Sequence, residues 1–436
     1  MVRSKPFFQF ASEFSGEVRL QPGVLMLAGL LLVGLIGAAC NDSNDDTSVA
    51  EEPAIESEPS AAAPAPSVNV LDGAVAEYAA GVDYFPEKVS VAYAENFTIE
   101  YFDNYKVVTV AQPVPGGEPE SYVLVQRGTP APELSGALAG AAAIEVPVES
   151  IFSGATTHLP FLVDLGVVDR LTGVGSARLI HAEPVLAQVA SGSAIEYAAA
   201  GPVDAETVIE AAPEVLISVG VDDEAYPILQ GAGVAVVSGT EWLEPTPLGR
   251  AEWIKYVAVF FNREGEAEAR FATIERAYLD LVSRAAAVAK RPTVMTGVLF
   301  DGVWYAAGGG SFVARLLDDA GAAYVWAENG DAGSIPLDFE AQLEQAQDAE
   351  FWINVSLFWS TVSDAAAEDS RYESFEAYQT GNVWNYSRIQ NAGGGLEYFE
   401  RGASRPDLVL ADLLKVFHQD LVPEHALIWY EQLPAE

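Results

Sequence analysis

The stretch that decides the architecture is PLGRAEWIKYVAVFFNREGEAEARFATIERAYLDLVSRAAAVAK, residues 247–290. Trp253, Ile254, Val257 and Phe261 recur at spacings of three and four, which puts an apolar stripe on one face of a helix. Asn262-Arg263-Glu264-Gly265 interrupts the pattern, and a second helix follows. It carries Phe271, Ile274, Tyr278, Leu279 and Val282 on one side and Glu266, Glu268, Arg270 and Arg276 on the other. From Glu264 to Ala289 that helix would extend roughly 39 Å at about 1.5 Å per residue, the width of a small domain. Arg291-Pro292 closes it, because proline disfavours helical geometry in the residue before it. A rigid rod between two halves restricts hinging, so the expectation is a clamp with small motions.

On either side of this spine the sequence alternates short apolar strands with helices, the pattern of a parallel α/β sheet. Before it come β-rich runs at Phe97–Phe102, Lys106–Ala111, Tyr122–Gln126 and Ile144–Val148, then a helix over Thr157–Leu165 and a strand over Leu171–Gly175. A helix at Asp204–Ala211, a strand at Val215–Val219, a helix at Glu224–Gly231 and a strand at Val234–Ser238 complete that half. After the spine, Thr293–Phe300 reads as a strand, Ser311–Ala320 as a helix and Asp338–Gln347 as a helix leading into the strand Phe351–Val355. Phe375–Tyr378 and Asn382–Trp384 continue the pattern, and Asp407–Phe417 is an amphipathic helix. The fold class expected is α/β, two Rossmann-like lobes joined by a single long backbone helix, with a ligand cleft between the lobes.

At 436 residues the chain accommodates two or three domains with real cores. The 63 acidic residues against 22 basic ones give a net charge of -41, which argues against nucleic acid as a partner and reads as a solvated acidic surface. Residues 1–39 read as an export signal: Arg3, Lys5 and Arg19 supply positive charge, Val24 to Ile36 is apolar, and Gly37-Ala38-Ala39 are small. The single cysteine, Cys40, follows directly, so no disulfide can form within the chain. This segment resembles a bacterial lipobox, with Gly37 where that motif most often has leucine. The resemblance implies cleavage before Cys40 and lipidation of its thiol, hence anchoring to the bilayer at the face of the cell envelope outside the cytoplasm. Asn41 to Val68 is Asp, Glu, Ser, Ala and Pro without an aromatic residue, the composition of a flexible tether. The organisation expected is signal 1–39, tether 40–75, amino-terminal lobe 76–246, spine 247–290 and carboxyl-terminal lobe 291–436.

Five segments together resemble the substrate-binding lipoproteins of ABC importers, in the class that captures iron–siderophore complexes, haem or cobalamin. They are THLPFLVDLGVVDRLTGVGS (157–176), AETVIEAAPEVLISVG (205–220), EWLEPTPLGRAEWIKYVAVFF (241–261), LDFEAQLEQAQDAEFWIN (337–354) and GNVWNYSRIQNAGGGLEYFERGASRPDLVLADLLKVFH (381–418). Their order and spacing cover nearly everything past residue 96. The resemblance implies a monomeric binding protein, not an enzyme, that holds a metal chelate in the cleft and delivers it to a dimeric membrane permease. It also implies docking through one glutamate per lobe, which by motif position are Glu206 and Glu340; an acid in a first helical turn also favours the helix dipole unaided. No cofactor is expected beyond the chelate, haem or cobalamin as cargo.

A cleft for a bulky, partly planar ligand needs aromatic faces and a few polar anchors. Candidates on the amino-terminal side are Thr157 and His158 at the start of a helix, Arg178 after the strand ending at Gly175, and Trp242 after the strand ending at Ser238. On the carboxyl-terminal side they are Trp304 and Tyr305 before the Gly308–Gly310 turn, Trp359 after the strand Phe351–Val355, and Tyr386 with Arg388 ahead of Gly393. Basic residues are scarce, and Arg178 and Arg388 suit an anionic chelate through charge-assisted bonds. Direct zinc or manganese capture would need several histidines and a carboxylate converging on one point; of His158, His181, His418 and His425, the last two stand seven apart near the chain end in a segment that reads as surface or packing, and His158 is the one to watch. A surface metalloenzyme built on His158 and nearby carboxylates is the reading from a different class. Gly308-Gly309-Gly310-Ser311 has no following lysine and is no phosphate loop.

Overall fold

The computed structural model describes residues 65–436, so the export signal, Cys40 and most of the tether lie outside the described residues. The first sheet contains β1 (Phe97–Tyr101), β2 (Tyr105–Val110), β3 (Glu120–Gln126) and β4 (Ala142–Val146), antiparallel except for the parallel β3–β4 pair. The four β-rich runs read from the sequence thus form a sheet of their own. β5 (Ile151–Ser153), α1 (Leu159–Asp164), β6 (Leu171–Val174), α2 (Glu183–Ser191) and β7 (Ile195–Glu196) open the first α/β lobe. α3 (Ala205–Ala211), β8 (Val215–Ser218), α4 (Ala225–Gly231) and β9 (Ala235–Ser238) complete a wholly parallel sheet of order β7-β6-β5-β8-β9. Central strands of this kind are apolar along their length because both faces are covered, and Val215-Leu216-Ile217 are all buried.

The spine resolves into α5 (Pro247–Ala258) and α6 (Glu264–Ala285). α5 is buried on every side except at Arg250, so the stripe read from its sequence is one part of a fully enclosed helix. Its Trp253 and Tyr256 pack edge-on against Phe97 of the first sheet. The single long helix between the lobes is α6, which buries Ala267, Phe271, Ile274 and Tyr278 at helical spacing. It ends at Ala285, four residues before the expected stop, and spans about 33 Å.

Beyond it come β10 (Thr293–Thr296), β11 (Val298–Phe300), β12 (Val303–Ala307), α7 (Phe312–Asp319), β13 (Ala323–Tyr324) and β14 (Ser334–Leu337). α8 (Phe339–Ala346), β15 (Phe351–Ile353), α9 (Val362–Glu368), α10 (Glu376–Thr380) and β16 (Val383–Asn385) follow, then α11 (Glu397–Arg401), α12 (Pro406–Phe417) and β17 (Glu431–Gln432). The main sheet runs β13-β10-β15-β16-β17, with only β17 antiparallel, and α12 packs along α6. Thr293–Phe300, read as one strand, is two strands in different sheets. Gly297 turns the chain between them at φ 81°, where a Cβ would lie 1.8 Å from the Tyr305 carbonyl oxygen. β11, β12 and β14 form a small antiparallel sheet, turned at Asp301-Gly302 with positive φ at both residues. Phe375–Tyr378 lies not in a strand but at the start of α10.

Residues expected in the tether up to position 75 are partly packed. Asn69 is buried, and its side-chain amide donates to Glu264 Oε2 (2.8 Å) and to the Glu87 carbonyl (2.9 Å). Glu264 also accepts from Lys106 Nζ at 2.7 Å, and Lys106 donates to the Val259 carbonyl and to Asn262 Oδ1. Asn262 holds φ 56° at the α5–α6 junction while its amide donates to the Val70 carbonyl and Gln126 Oε1. Burial pushes Lys106 down and Glu264 up from their ordinary values, each pulled back by the other. This knot joins the entering chain, the first sheet and the root of α6.

Several acids that composition places on a solvated surface are buried acceptors for loop backbone. Glu252 takes the N–H groups of Ala92, Tyr93 and Ala94, and Glu244 takes those of Glu95 and Asn96. Asp412 takes those of Ile428, Trp429 and Tyr430. Elsewhere α3 ends on Ala212 in the left-handed region at φ 46°, a conformation that favours glycine. Ala212→Gly is expected to stabilise the protein by about 0.5–1 kcal/mol, read as a higher urea midpoint at unchanged slope.

Candidate functional site

The carboxyl-terminal ends of both main sheets deliver loops to one interlobe junction, where α11 packs on the turn Thr156–His158. On the amino-terminal side, Thr157 Oγ1 donates to Glu241 Oε1 at 2.5 Å. His158 Nε2 lies 3.3 Å from Glu241 Oε2, a contact whose angles leave both atoms without an aligned hydrogen bond. Gly239 admits the imidazole, since a Cβ there would lie 2.5 Å from His158 Nε2. Trp242 Nε1 donates to the Val219 carbonyl at 3.0 Å. Thr157, His158 and Trp242 are therefore brought together around Glu241, a residue the sequence reading left out.

Burial by itself would raise Glu241, but attraction to His158 and the Thr157 hydroxyl outweighs it and holds the carboxyl below its ordinary 4.5. A depressed folded-state value contributes stability that is present above the ordinary value and is lost as pH falls through the folded one. Glu241→Gln is accordingly expected to lower the urea midpoint at pH 7, with the deficit shrinking below pH about 4.5 as the wild type loses the same contribution. A deficit unchanged between pH 7 and the acid limb would show that the carboxyl's charge is not the cause.

On the carboxyl-terminal side, Tyr386 stacks on Tyr398 at 4.3 Å between centroids, and Phe399 meets Tyr386 edge-on at 5.2 Å. The guanidinium of Arg250, from α5, lies 3.5 Å from the centre of the Phe312 ring at the start of α7 and thereby spans the lobes. The lobes also touch through main chain. A Cβ on Gly393 would lie 2.0 Å from the Arg178 carbonyl oxygen, and one on Gly395 would lie 2.3 Å from that of Leu179. Asn391 donates to the Ile180 carbonyl at 3.1 Å, and buried Glu400 accepts from the backbone N–H groups of His181 and Ala182.

Three expected site residues lie elsewhere. Trp304 is fully buried, stacked on Trp352 with its Nε1 on the Thr296 carbonyl, and Trp359 is buried against Trp352 and Tyr372. Both belong to the core of the second lobe, because tryptophans at a strand end complete an aromatic layer as readily as they face a cleft. Tyr305 is half-buried on β12, paired with Val298 and Pro336. The aromatic that the β15 loop exposes is Phe358, the neighbour of Trp359, at 72% of its surface.

Charge pairing separates the cations sharply. Among the described residues every lysine and arginine forms an ion pair except Arg178, Arg250, Arg276, Arg388 and Lys415. Arg178, Arg250 and Arg388 are carried by the junction segments. A crevice of about 550 Å³ beside α6 also contains arginines, but Arg270 is paired with Asp164, Arg401 with Glu397 and Arg405 with Asp407. No group of three or more His, Cys, Asp or Glu among the described residues could hold a metal ion directly. Glu206 and Glu340 are both exposed in the first turns of α3 and α8, and Glu340 lies 3.9 Å from Arg371 Nη1.

Residues 151–388 match the family model described as periplasmic binding protein, and the chain belongs to that family of extracytoplasmic binding proteins. Two uncharacterized lipoproteins of Methanocaldococcus jannaschii are similar to it. One is 25% identical over 288 residues, covering 64% of this chain and 67% of the relative. The other is 22% identical over 420 residues, covering 91% and 96%. Among solved structures, a periplasmic binding protein from Veillonella parvula aligns with TM-score 0.51 and 13% identity, covering 74% of this chain and 98% of its own. A possible iron-binding (periplasmic solute-binding) protein from Staphylococcus epidermidis aligns with TM-score 0.50 and 16% identity, covering 62% and 98%. No helix among the described residues is long and apolar enough to cross a membrane.

Proposed function

We propose that the chain is the substrate-binding protein of an ABC importer, capturing an iron(III)–siderophore-type chelate in the interlobe cleft and delivering it to a membrane permease. The observation that carries this reading is the cation Arg250, without an ion pair, held at the junction on the Trp242 carbonyl and the Phe312 ring, with the Tyr386–Tyr398 stack close enough for Tyr398 to act on it electrostatically; Arg178 and Arg388, exposed on neighbouring segments, have no carboxylate partner either. In a chain this acidic, a cation left without a carboxylate is available to an incoming anion. Flat rings supply the faces that a bulky chelate or a macrocycle needs. The long helix α6 fixes the separation of the lobes, so release requires only a small opening of the contacts at Gly393, Gly395 and Glu400. Haem or cobalamin as cargo is the alternative within the same fold.

Glu206 and Glu340 are the proposed docking points on a dimeric permease, one per lobe, and Cys40 the proposed lipid attachment. The pairing of Glu340 with Arg371 means that docking on that side exchanges one arginine partner for another. The test is tryptophan fluorescence of the full chain in detergent, titrated with ferric siderophores, haem and cobalamin. Saturable quenching by one class at sub-micromolar concentration is expected. No response to any of them, with zinc or manganese binding instead, would overturn the reading in favour of a metal site at His158.

A further inference from the structure

We propose that Arg250 is the anchor for an acidic group on the bound ligand, so that this cleft selects chelates carrying a carboxylate or comparable oxyanion. The inference rests on the binding-protein reading above and narrows its ligand class. Arg250 is the one residue of α5 that is not buried. Its Nη2 donates to the Trp242 carbonyl at 2.6 Å and its Nε to the Glu244 carbonyl at 3.3 Å. Nη1 has no acceptor among the described residues.

The two acids whose fields reach Arg250, Glu241 and Glu244, are committed to other donors. Glu241 serves Thr157 and His158, while Glu244 serves the backbone of Glu95 and Asn96 and the indole of Trp253. Burial pushes the guanidinium down to about 10, so it stays charged at neutral pH. The site is thus a partly desolvated cation without a carboxylate of its own, in a chain of 63 acidic residues. Desolvating a charge is costly unless a counter-charge completes it.

The geometry says which part of the group is on offer. Phe312 covers the flat face of the guanidinium, and two carbonyls take one part of its edge. What remains is the Nη1 corner, in-plane N–H donors suited to the oxygens of a carboxylate. Phe312 is itself held in place. The preceding Gly308–Gly310 run is packed so closely on the backbone of residues 326–333 that a Cβ on Gly309 would fall within 2.5 Å of three carbonyl oxygens, those of Trp326, Ala327 and Asn329. An arginine stacked on a fixed ring keeps its orientation before ligand arrives, which lowers the entropic cost of binding.

The experiment titrates the full chain in detergent with ferric citrate, a carboxylate-bearing chelate, and with a ferric trihydroxamate that carries no carboxylate, following tryptophan fluorescence. Wild-type protein is expected to bind ferric citrate. Arg250→Gln is expected to weaken it by about 10- to 100-fold, the equivalent of about 1.5–3 kcal/mol for hydrogen bonds to a charged group. The trihydroxamate, with no carboxylate to meet Arg250, should lose less affinity than ferric citrate, so the ratio of the two affinities is the readout; the melting temperature should fall slightly as the bonds to the Trp242 and Glu244 carbonyls are lost. Arg250→Lys, which keeps the charge and loses the planar fork, should recover part of the loss; it carries the test alone if the glutamine variant does not fold. Equal weakening for both chelates, or undiminished ferric citrate binding in Arg250→Gln, would overturn the role of Arg250 and leave the receptor reading standing. Wild-type binding of the trihydroxamate alone would overturn the selectivity for acids, again without harm to the receptor. Binding of neither, nor of haem, would remove both.

Discussion

Lys106→Met is expected to cost about 3–5 kcal/mol of stability. The ammonium is fully enclosed and has three acceptors, and its removal leaves the Glu264 carboxylate buried with only the Asn69 amide and no cation. The penalty is the isolated charge rather than the lost packing, since methionine fills nearly the same volume beside the Phe85 ring. A double variant, Lys106→Met with Glu264→Gln, is therefore expected to regain much of the loss, and a urea-unfolding cycle over the four proteins measures that coupling. Additive losses would show that the pair does not act as a unit.

Asp412→Asn is expected to cost about 3 kcal/mol or more, since an unsatisfied buried donor costs about 1–3 kcal/mol and several share this carboxylate. Oδ2 accepts from Ile428, Trp429 and Tyr430 N–H, and Oδ1 from His425 Nε2 at 2.6 Å and again from Ile428 N–H. An amide nitrogen in either position points hydrogens at donors. The segment 425–430 should loosen first, seen as faster hydrogen exchange at Trp429 and Tyr430 than at β10. Protection at those two amides equal to wild type would show that the chain end is held by packing alone.

The alternation of strands and helices and the long helix α6 were legible because both rest on apolar periodicity, which burial enforces directly. The same logic misplaced Trp304 and Trp359. A strand end gives an aromatic residue either a cleft or a core to face, and only the neighbouring helices decide which. Phe358 and Trp359 are adjacent, yet one is exposed and the other enclosed. Arg250 was hidden for a related reason: within a stretch read for its apolar stripe, a lone arginine looks like the solvent side of the helix. It became visible only when the rest of α5 proved to be buried. The acids were the least legible. Glu244, Glu252, Glu400 and Asp412 are indistinguishable in sequence from dozens of surface carboxylates, and the loops whose N–H groups they accept are irregular and leave no periodic trace. Arg178 and Arg388 were singled out by scarcity alone, and neither forms an ion pair among the described residues.

The knot at Asn69 also determines where mechanical load enters the protein. Any pull arriving along the chain from its amino-terminal side meets Asn69 and Val70, which are bonded to Glu264 and Asn262 at the root of the long helix. Tension is therefore delivered to the rod and the first sheet together, and not to the interlobe contacts at Gly393, Gly395 and Glu400. A binding protein loaded this way takes a pull from its amino-terminal side into its rod and leaves the contacts between its lobes unloaded.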